Sequence, residues 1–239
     1  DVLCVEELAH SPASPRPARP VLGYASHWVA KPRSPCLDFG DFYSDGTAIF
    51  WKSDMFETAN AVAEGKYIDE LCCGTNQVFL LADLRHIGTG EIIRVVATHL
   101  KAGLRSKDEK LRATQASQLL GAISAGPPCQ HHIVCGDFNS TPADTLTFTA
   151  RCVPAVLASE RTPLCSAYPL RPREDGYVLP FTLCSRKWGF DVKLVLDYIF
   201  HSHSLAPVSL LHLPCSAELE RGRLPGLRYP SDHFAIAAE

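Results

Sequence analysis

The segment His131 to Asp144, HHIVCGDFNSTPAD, constrains this chain more tightly than any other stretch. A short apolar run, Ile133 to Cys135, leads into Gly136, and Asp137 and Asn139 follow two residues apart where the run stops. In extended backbone, residues i and i+2 project to the same side, so a carboxylate and an amide converge on one point at the edge of a sheet. Pro142, after Ser140 and Thr141, ends the strand and opens a loop. The same residue types also fill an ordinary Asx turn, which is the plainer explanation of the stretch taken alone.

With 239 residues, 46% of them apolar, the chain can bury a sizeable core, and a single domain is the default. Its formal net charge of -3 excludes the broad basic surface of a bulk nucleic-acid binder, so any phosphate contact has to be local. The 10 cysteines are scattered without a C-x-x-C pair or a Cys/His spacing suited to zinc. Cys4 and Cys135 lie in apolar strand-like runs, where a reduced thiol behaves as a small hydrophobe. This usage predicts an intracellular, thiol-reduced protein, cytoplasmic or, alternatively, mitochondrial. No apolar run is long enough to cross a bilayer. The opening at Asp1 on a strand pattern, without a Met, predicts one domain over 1–239 whose true N-terminus is missing.

Asp1 to Leu8, DVLCVEEL, reads as a buried strand carrying Glu6 and Glu7 to its end; an alternating strand aims only one of the two at a site. Four prolines between Ser11 and Pro20 forbid helix interior there. Val21 to Val29, Thr47 to Trp51, Asn76 to Leu84 and Ile92 to Leu100 are β-prone, the last two forming a long hairpin with His99 at its far end. Helical periodicity over Ser106 to Ser124 sets Leu111, Leu119, Leu120 and Ile123 on an apolar stripe, with Lys107, Asp108, Glu109, Lys110 and Arg112 on exposed turns. A short helix is expected at about Ala143 to Arg151, and loop with some helix from Val153 to Pro180. A strand follows from Val192 to His201 with Asp197 in its middle, another from Pro207 to Leu213, and a last one after Ser231, Asp232 and His233. Many strands, few helices and mostly antiparallel hairpins predict an α/β (α+β) fold of sheets packed face to face with helices outside.

Four polar positions interrupt this pattern: Glu7, the Asp137 and Asn139 pair, Asp197, and the Asp232 and His233 pair. A buried, unpaired Asp197 is costly, and His233 is its natural partner. A His held protonated by an Asp is a cation that can grip a phosphoryl oxygen. Singly, each residue has an ordinary structural explanation. Together, acids, one Asn and His without soft ligands suit a hard cation and phosphoryl transfer.

By these residues the chain resembles the exonuclease-endonuclease-phosphatase superfamily. Asp1-Val-Leu-Cys-Val-Glu-Glu-Leu, Thr98-His-Leu-Lys-Ala, Gly136-Asp-Phe-Asn-Ser, Leu196-Asp-Tyr-Ile and Tyr229-Pro-Ser-Asp-His stand in that family's order over nearly the whole chain. Lys31-Pro-Arg-Ser-Pro-Cys-Leu-Asp, Asp45-Gly and Thr75-Asn-Gln-Val extend the likeness to its nocturnin-like branch, relatives of the carbon-catabolite-repressor deadenylases. The resemblance implies a four-layer α/β sandwich of two mainly antiparallel sheets, with the site at one end. It implies that Glu7 ligates Mg²⁺ with Asp232 beside a metal position, and that Asp137 activates water. Asn139 would hold the phosphoryl group, Asp197 would partner the catalytic His233, and His99 would face the phosphate. Lys31 and Lys101 match cations around a dinucleotide's phosphates; Phe181-Thr-Leu-Cys-Ser-Arg-Lys departs from a family pattern with Trp and Lys in it, and there Arg186 or Lys187 is expected to cover the substrate phosphate. The implied reaction is metal-assisted removal of the 2′-phosphate of NADP(H) by a monomer not inserted in a membrane.

The chain also departs from the family. The first strand, which brings an Asn to the metal, has no counterpart, and Gly103 stands where the family has Arg, with Arg105 the nearby substitute. Ser11 to Pro20 replaces a helix. Two other readings stay open. One is a 3′ exonuclease shortening poly(A) RNA, against which a net charge of -3 weighs, since such a track needs clustered cations and stacking aromatics. The other is a catalytically weak scaffold that binds partners through the sandwich surface.

Overall fold

Three strands, β1 (Val2–Ala9), β2 (Tyr24–Ala30) and β3 (Asp45–Lys52), pair antiparallel in the order β1-β3-β2. A second, 6-stranded sheet follows the order β4-β5-β6-β7-β11-β8, built from β4 (Phe56–Thr58), β5 (Phe79–His86), β6 (Ile92–His99), β7 (His131–Asp137), β8 (Leu164–Ser166) and β11 (Asp197–Ser202). A hairpin of β9 (Leu183–Lys187) and β10 (Phe190–Leu194) stands apart. The computed structural model describes residues 1–9, 23–40, 43–59, 76–145, 149–171, 174, 178–187, 190–219 and 224–239. The Pro-rich stretch from Ser11 to Pro20, Thr75, and the first two residues of the strand expected from Val21 lie outside them.

Period-two alternation sorts the large sheet's side chains into two cores. Leu80, Ala82 and Leu84 of β5 and Val95 and Ala97 of β6 meet Val29, Ile49 and Trp51 of the small sheet. From the other face, Phe79, Val96, Val134, Tyr198 and Phe200 pack under Leu119, Leu120 and Ile123 of α1 (Ser106–Ala125) and Val153 and Val156 of α2 (Cys152–Leu157). The result is the expected α/β sandwich. α1 and α2 cover the large sheet; over the small sheet no α-helix occurs among the described residues.

Among the described residues, only β6 and β7 pair parallel, joined through α1. Such a crossover carries both chain ends of β6 and β7 to the same rim, which an antiparallel hairpin cannot do. The register puts Thr98 opposite Gly136 and His99 opposite Asp137, and β11 continues the row with Asp197 opposite Asp137.

Several expected elements differ. The strand from Val192 to His201 is two strands, because the Thr182 hydroxyl takes the N–H groups of Leu196 and Asp197 at 2.9 and 3.1 Å and breaks the run there. Asp197 therefore heads a strand instead of sitting inside one. The short helix begins at Cys152, where Cys152, Val153 and Val156 supply a buried face. Pro207 to Leu213 and the tail after His233 are not strands: they meet through an isolated bridge, Leu210 to Ala238, and a few backbone bonds. The stretch from Val153 to Pro180 is core as much as loop, with Tyr168 buried and its hydroxyl donating to the carbonyls of Leu211 and Ala237, 2.8 Å each. Finally, Asp108, Glu109 and Arg112 of α1 are buried, not on exposed turns.

Gly136 shows how tightly β6 and β7 approach. Its φ is +148°, and an added Cβ would stand 1.8 Å from the Thr98 carbonyl oxygen. Gly136→Ala is expected to lose about 2–4 kcal/mol of stability, from overpacking and a disallowed backbone together, as a lower urea midpoint at unchanged slope.

Candidate active site

Three strand ends make the floor of the site. His99, Asp137 and Asp197 lie side by side on β6, β7 and β11, on the parity that faces the small sheet, since Val95 and Ala97 precede His99 on that side and Cys135, which meets Cys4 of β1, precedes Asp137. His99 Nε2 is 3.5 Å from an Asp137 carboxylate oxygen. A fourth group arrives from the C-terminal tail, where His233 is pinned by a bridge to Leu183 at the head of β9. Its Nδ1 lies 2.8 Å from Asp197 Oδ2. Ligand atoms of Asp137, Asp197 and His233 all fall within 4.8 Å of one another, a grouping that can hold a metal ion.

The small sheet supplies the roof. On β1, Val2 and Cys4 pack into the inter-sheet core, and Glu6 continues their side. Its carboxyl is pushed up to about 7, first by burial and then by Asp197, with one oxygen buried and unpartnered. Glu7 was the residue expected to reach the site, as the metal ligand; it lies at the rim, 70% exposed, 3.9 Å from His99 Nδ1. Alternation alone would turn it away. A register break between Val5 and Leu8, with Glu7 at a φ of +56°, cancels that alternation and lets both carboxylates border the cavity. The sequence signal for Glu6 is the inward parity of Val2 and Cys4, which the family motif at Glu7 does not carry.

Crowding of like charge sets the electrostatics. Burial, and then Asp197, raises Asp137 to about 8, against the pull of His233 and the Asn139 N–H. Burial pushes His99 down to about 4, helped by Lys31. His233 goes the other way: burial lowers it, but the Asp197 hydrogen bond and charge outweigh that and lift it to about 9.

The other expected site residues fall as follows. Asn139 has a φ of +50°; its N–H donates to Asp137 Oδ1 at 2.7 Å, and its amide donates to Leu100 O and Asp137 Oδ2, 3.1 Å each. The Asx turn and the site are thus one object: the backbone N–H and one side-chain amide bond of Asn139 orient Asp137, and the other amide bond ties the turn to Leu100. Asp232 contributes charge to His233 and its carbonyl accepts from the Cys184 N–H; it is outside the three-residue grouping. Lys31 is tied to Asp45 at 2.5 Å and lies close enough to act on His99. Asp45 also binds the Ser34 hydroxyl. Lys101 follows His99 by two residues, its N–H donating to Gln115 Oε1. Arg105 is not turned to the site: it folds onto Asp108 at 3.0 Å. Arg186 is exposed on the β9–β10 hairpin opposite Asp191, and the Lys187 side chain is outside the described residues.

Residues 1–233 match the Endonuclease/Exonuclease/phosphatase family. The chain is similar to nocturnin of Xenopus laevis, 33% identical over 244 residues, and of Homo sapiens, 32% identical over 244 residues, all of this chain being covered each time. It spans only 60% and 54% of those relatives' length. Its structure is similar to the human Nocturnin catalytic domain solved with a bound sulfate anion, at TM-score 0.74 and 32% identity, covering 100% of this chain and 79% of that one. It also shares its fold with ANGEL2, a 2′,3′-cyclic phosphatase, at TM-score 0.72 and 22% identity, covering 100% and 81%.

The His233–Asp197 pair has a readable titration. Because the folded value of His233 is raised, its stabilising contribution is complete below the unfolded value near 6.5 and is lost as pH climbs through about 9. In Asp197→Asn the main opposition to burial is gone and only the charges of Asp137 and Asp232 remain against it, so NMR titration of the ring should place His233 well below about 9.

Proposed function

We propose, starting from the fact that this chain belongs to the endonuclease/exonuclease/phosphatase family, that it is a Mg²⁺-dependent phosphoryl hydrolase removing the 2′-phosphate of NADP(H). The observation that carries this reading is the in-register row of His99, Asp137 and Asp197, closed by His233 at 2.8 Å from Asp197. Acids, imidazoles and one amide meet there without a thiol, as phosphoryl chemistry requires.

A divalent cation suits the residues present. Glu6 keeps a buried oxygen without a partner, and Glu6 and Asp137 are both raised, first by burial and then by crowding with Asp197, which His233 offsets only in part. Glu7 and Glu6 are the residues that would hold Mg²⁺, which asks for one or two protein carboxylates. When bound, the ion neutralises charge on the phosphoryl oxygens. Asp137 then orients the attacking water, itself steadied by two hydrogen bonds from Asn139 and by His99. His233, positive through neutral pH by virtue of Asp197, faces a phosphoryl oxygen and stabilises its charge. Lys31, fixed by Asp45, offers a point charge to a second phosphate of the dinucleotide. With Lys31 and Lys101 near the floor and a net charge of -3 overall, the surface favours a compact phosphorylated ligand over a long RNA track.

The deciding assay compares phosphate release from NADP⁺ with shortening of an oligo(A), with and without Mg²⁺, on the full-length protein. Release from NADP⁺ with intact RNA is expected; RNA shortening without phosphate release would overturn the reading in favour of a 3′ exonuclease. Asp137→Ala should lower turnover at least about 1,000-fold while leaving the melting temperature unchanged or higher, because a crowded carboxylate is removed. Activity that survives this change would remove Asp137 from the chemistry.

A further inference from the structure

Beneath the site, on the helix side of the large sheet, lies an ion pair that the proposed chemistry does not use. Glu109 and Arg112 on α1 are fully buried, and Arg112 reaches the Glu109 carboxylate through Nε and Nη2 at 2.8 Å each. Removing two full charges from water for one contact between neighbours on a helix gives little net stability, and apolar residues of equal volume would serve as well or better. The remaining bonds of the pair suggest another purpose. Arg112 Nη1 donates to the carbonyls of Lys101 and Gly103, at 2.9 and 2.8 Å. Glu109 Oε1 accepts from the Ser140 hydroxyl at 2.8 Å and from the N–H groups of Arg151 and Cys152 at 2.7 and 2.8 Å. Ser140 is held again from the far side, where the Tyr198 hydroxyl donates to its carbonyl at 2.8 Å.

These contacts converge on two loops. One leaves β6 after His99 and carries Lys101; the other leaves β7 after Asp137 and carries Asn139. The loops are already laced by Leu100 N–H to Asp137 O and Asn139 Nδ2 to Leu100 O. Each is one bond from the same buried ion pair.

We infer that Glu109 and Arg112 are positioning residues, a charged clamp that fixes the Lys101 loop and the Asn139–Ser140 turn relative to one another and so sets the distance between Lys101, His99 and Asp137. This rests on the catalytic reading above. Neither residue touches the cluster; each acts through backbone carbonyls or the Ser140 hydroxyl. A guanidinium suits the task because its planar fork bonds the carboxylate and two carbonyls at once, which an ammonium cannot match.

The test uses the full-length protein and three variants: Arg112→Lys, Glu109→Gln, and the volume-matched double change Glu109→Leu with Arg112→Met. A clamp predicts that the double variant, which leaves the Ser140 hydroxyl, the Arg151 and Cys152 N–H groups and the Lys101 and Gly103 carbonyls without these partners, melts lower than the parent and, while folded, loses about 100-fold in kcat/KM for NADP⁺, the scale of a misplacement of about 1 Å. Arg112→Lys should recover part of that loss. If the double variant does not fold, Glu109→Gln keeps the question open to measurement: a fall in kcat/KM at unchanged melting temperature supports the clamp. A folded double variant with the parent's kcat and KM overturns it. Ring resonances of His99 and His233 by NMR separate this outcome from failure of the catalytic reading. If the parent releases no phosphate from NADP⁺, a shifted His99 signal with an unmoved His233 signal in the variants still supports the clamp, and no shift in either overturns it.

Discussion

The structure depends on the register of three neighbouring strand ends. Because β6 and β7 run parallel and β11 antiparallel to β7, His99, Asp137 and Asp197 emerge as adjacent teeth on one face. A slip of one residue in any of these pairings would turn a site group into the helix-side core and a core group into the site. The close approach at Gly136 and the aromatic packing of Phe138, Tyr198 and Phe200 directly behind the row protect that register.

Gathering acids at one rim has an electrostatic consequence that shapes everything around it. Raised values at Glu6 and Asp137, against a lifted His233, describe a cavity with more negative charge than its own residues balance. The protein meets part of the imbalance with one imidazole. The rest is an open demand for a cation and a reason for Lys31 to be held near His99 instead of being left to solvent. Strain is kept local: positive φ values at Glu7 and Asn139, the two non-glycine residues with that backbone among those described, both sit at the site.

Much of this was legible beforehand, for physical reasons that differ between elements. The β5–β6 hairpin and α1 announce themselves by period, and GDFNS by a polar pair breaking an apolar strand. The His233–Asp197 contact followed from the cost of burying an acid alone. Other features left no periodic signal. The three-residue strands β4 and β8 are too short to show one, and the interruption before Asp197 comes from the Thr182 side chain, 15 positions earlier in the chain. Glu109 and Arg112 read as ordinary solvated helix charges, since nothing local distinguishes a charged residue facing water from one facing two loops.

The sequence by itself determined the alphabet and order of the site: which residues are acids, which strands carry them, and that Asp197 and His233 had to meet. Those are matters of side-chain chemistry and of alternation, both local. Only the tertiary structure decided that Glu6 and Glu7 both border the site, that Asn139 divides its amide between Leu100 and Asp137, and that Arg105 turns to Asp108. Each of these hangs on a bulge, a left-handed residue or a competing partner, and such choices are settled by the free energy of the assembled packing, not by the preference of any segment alone.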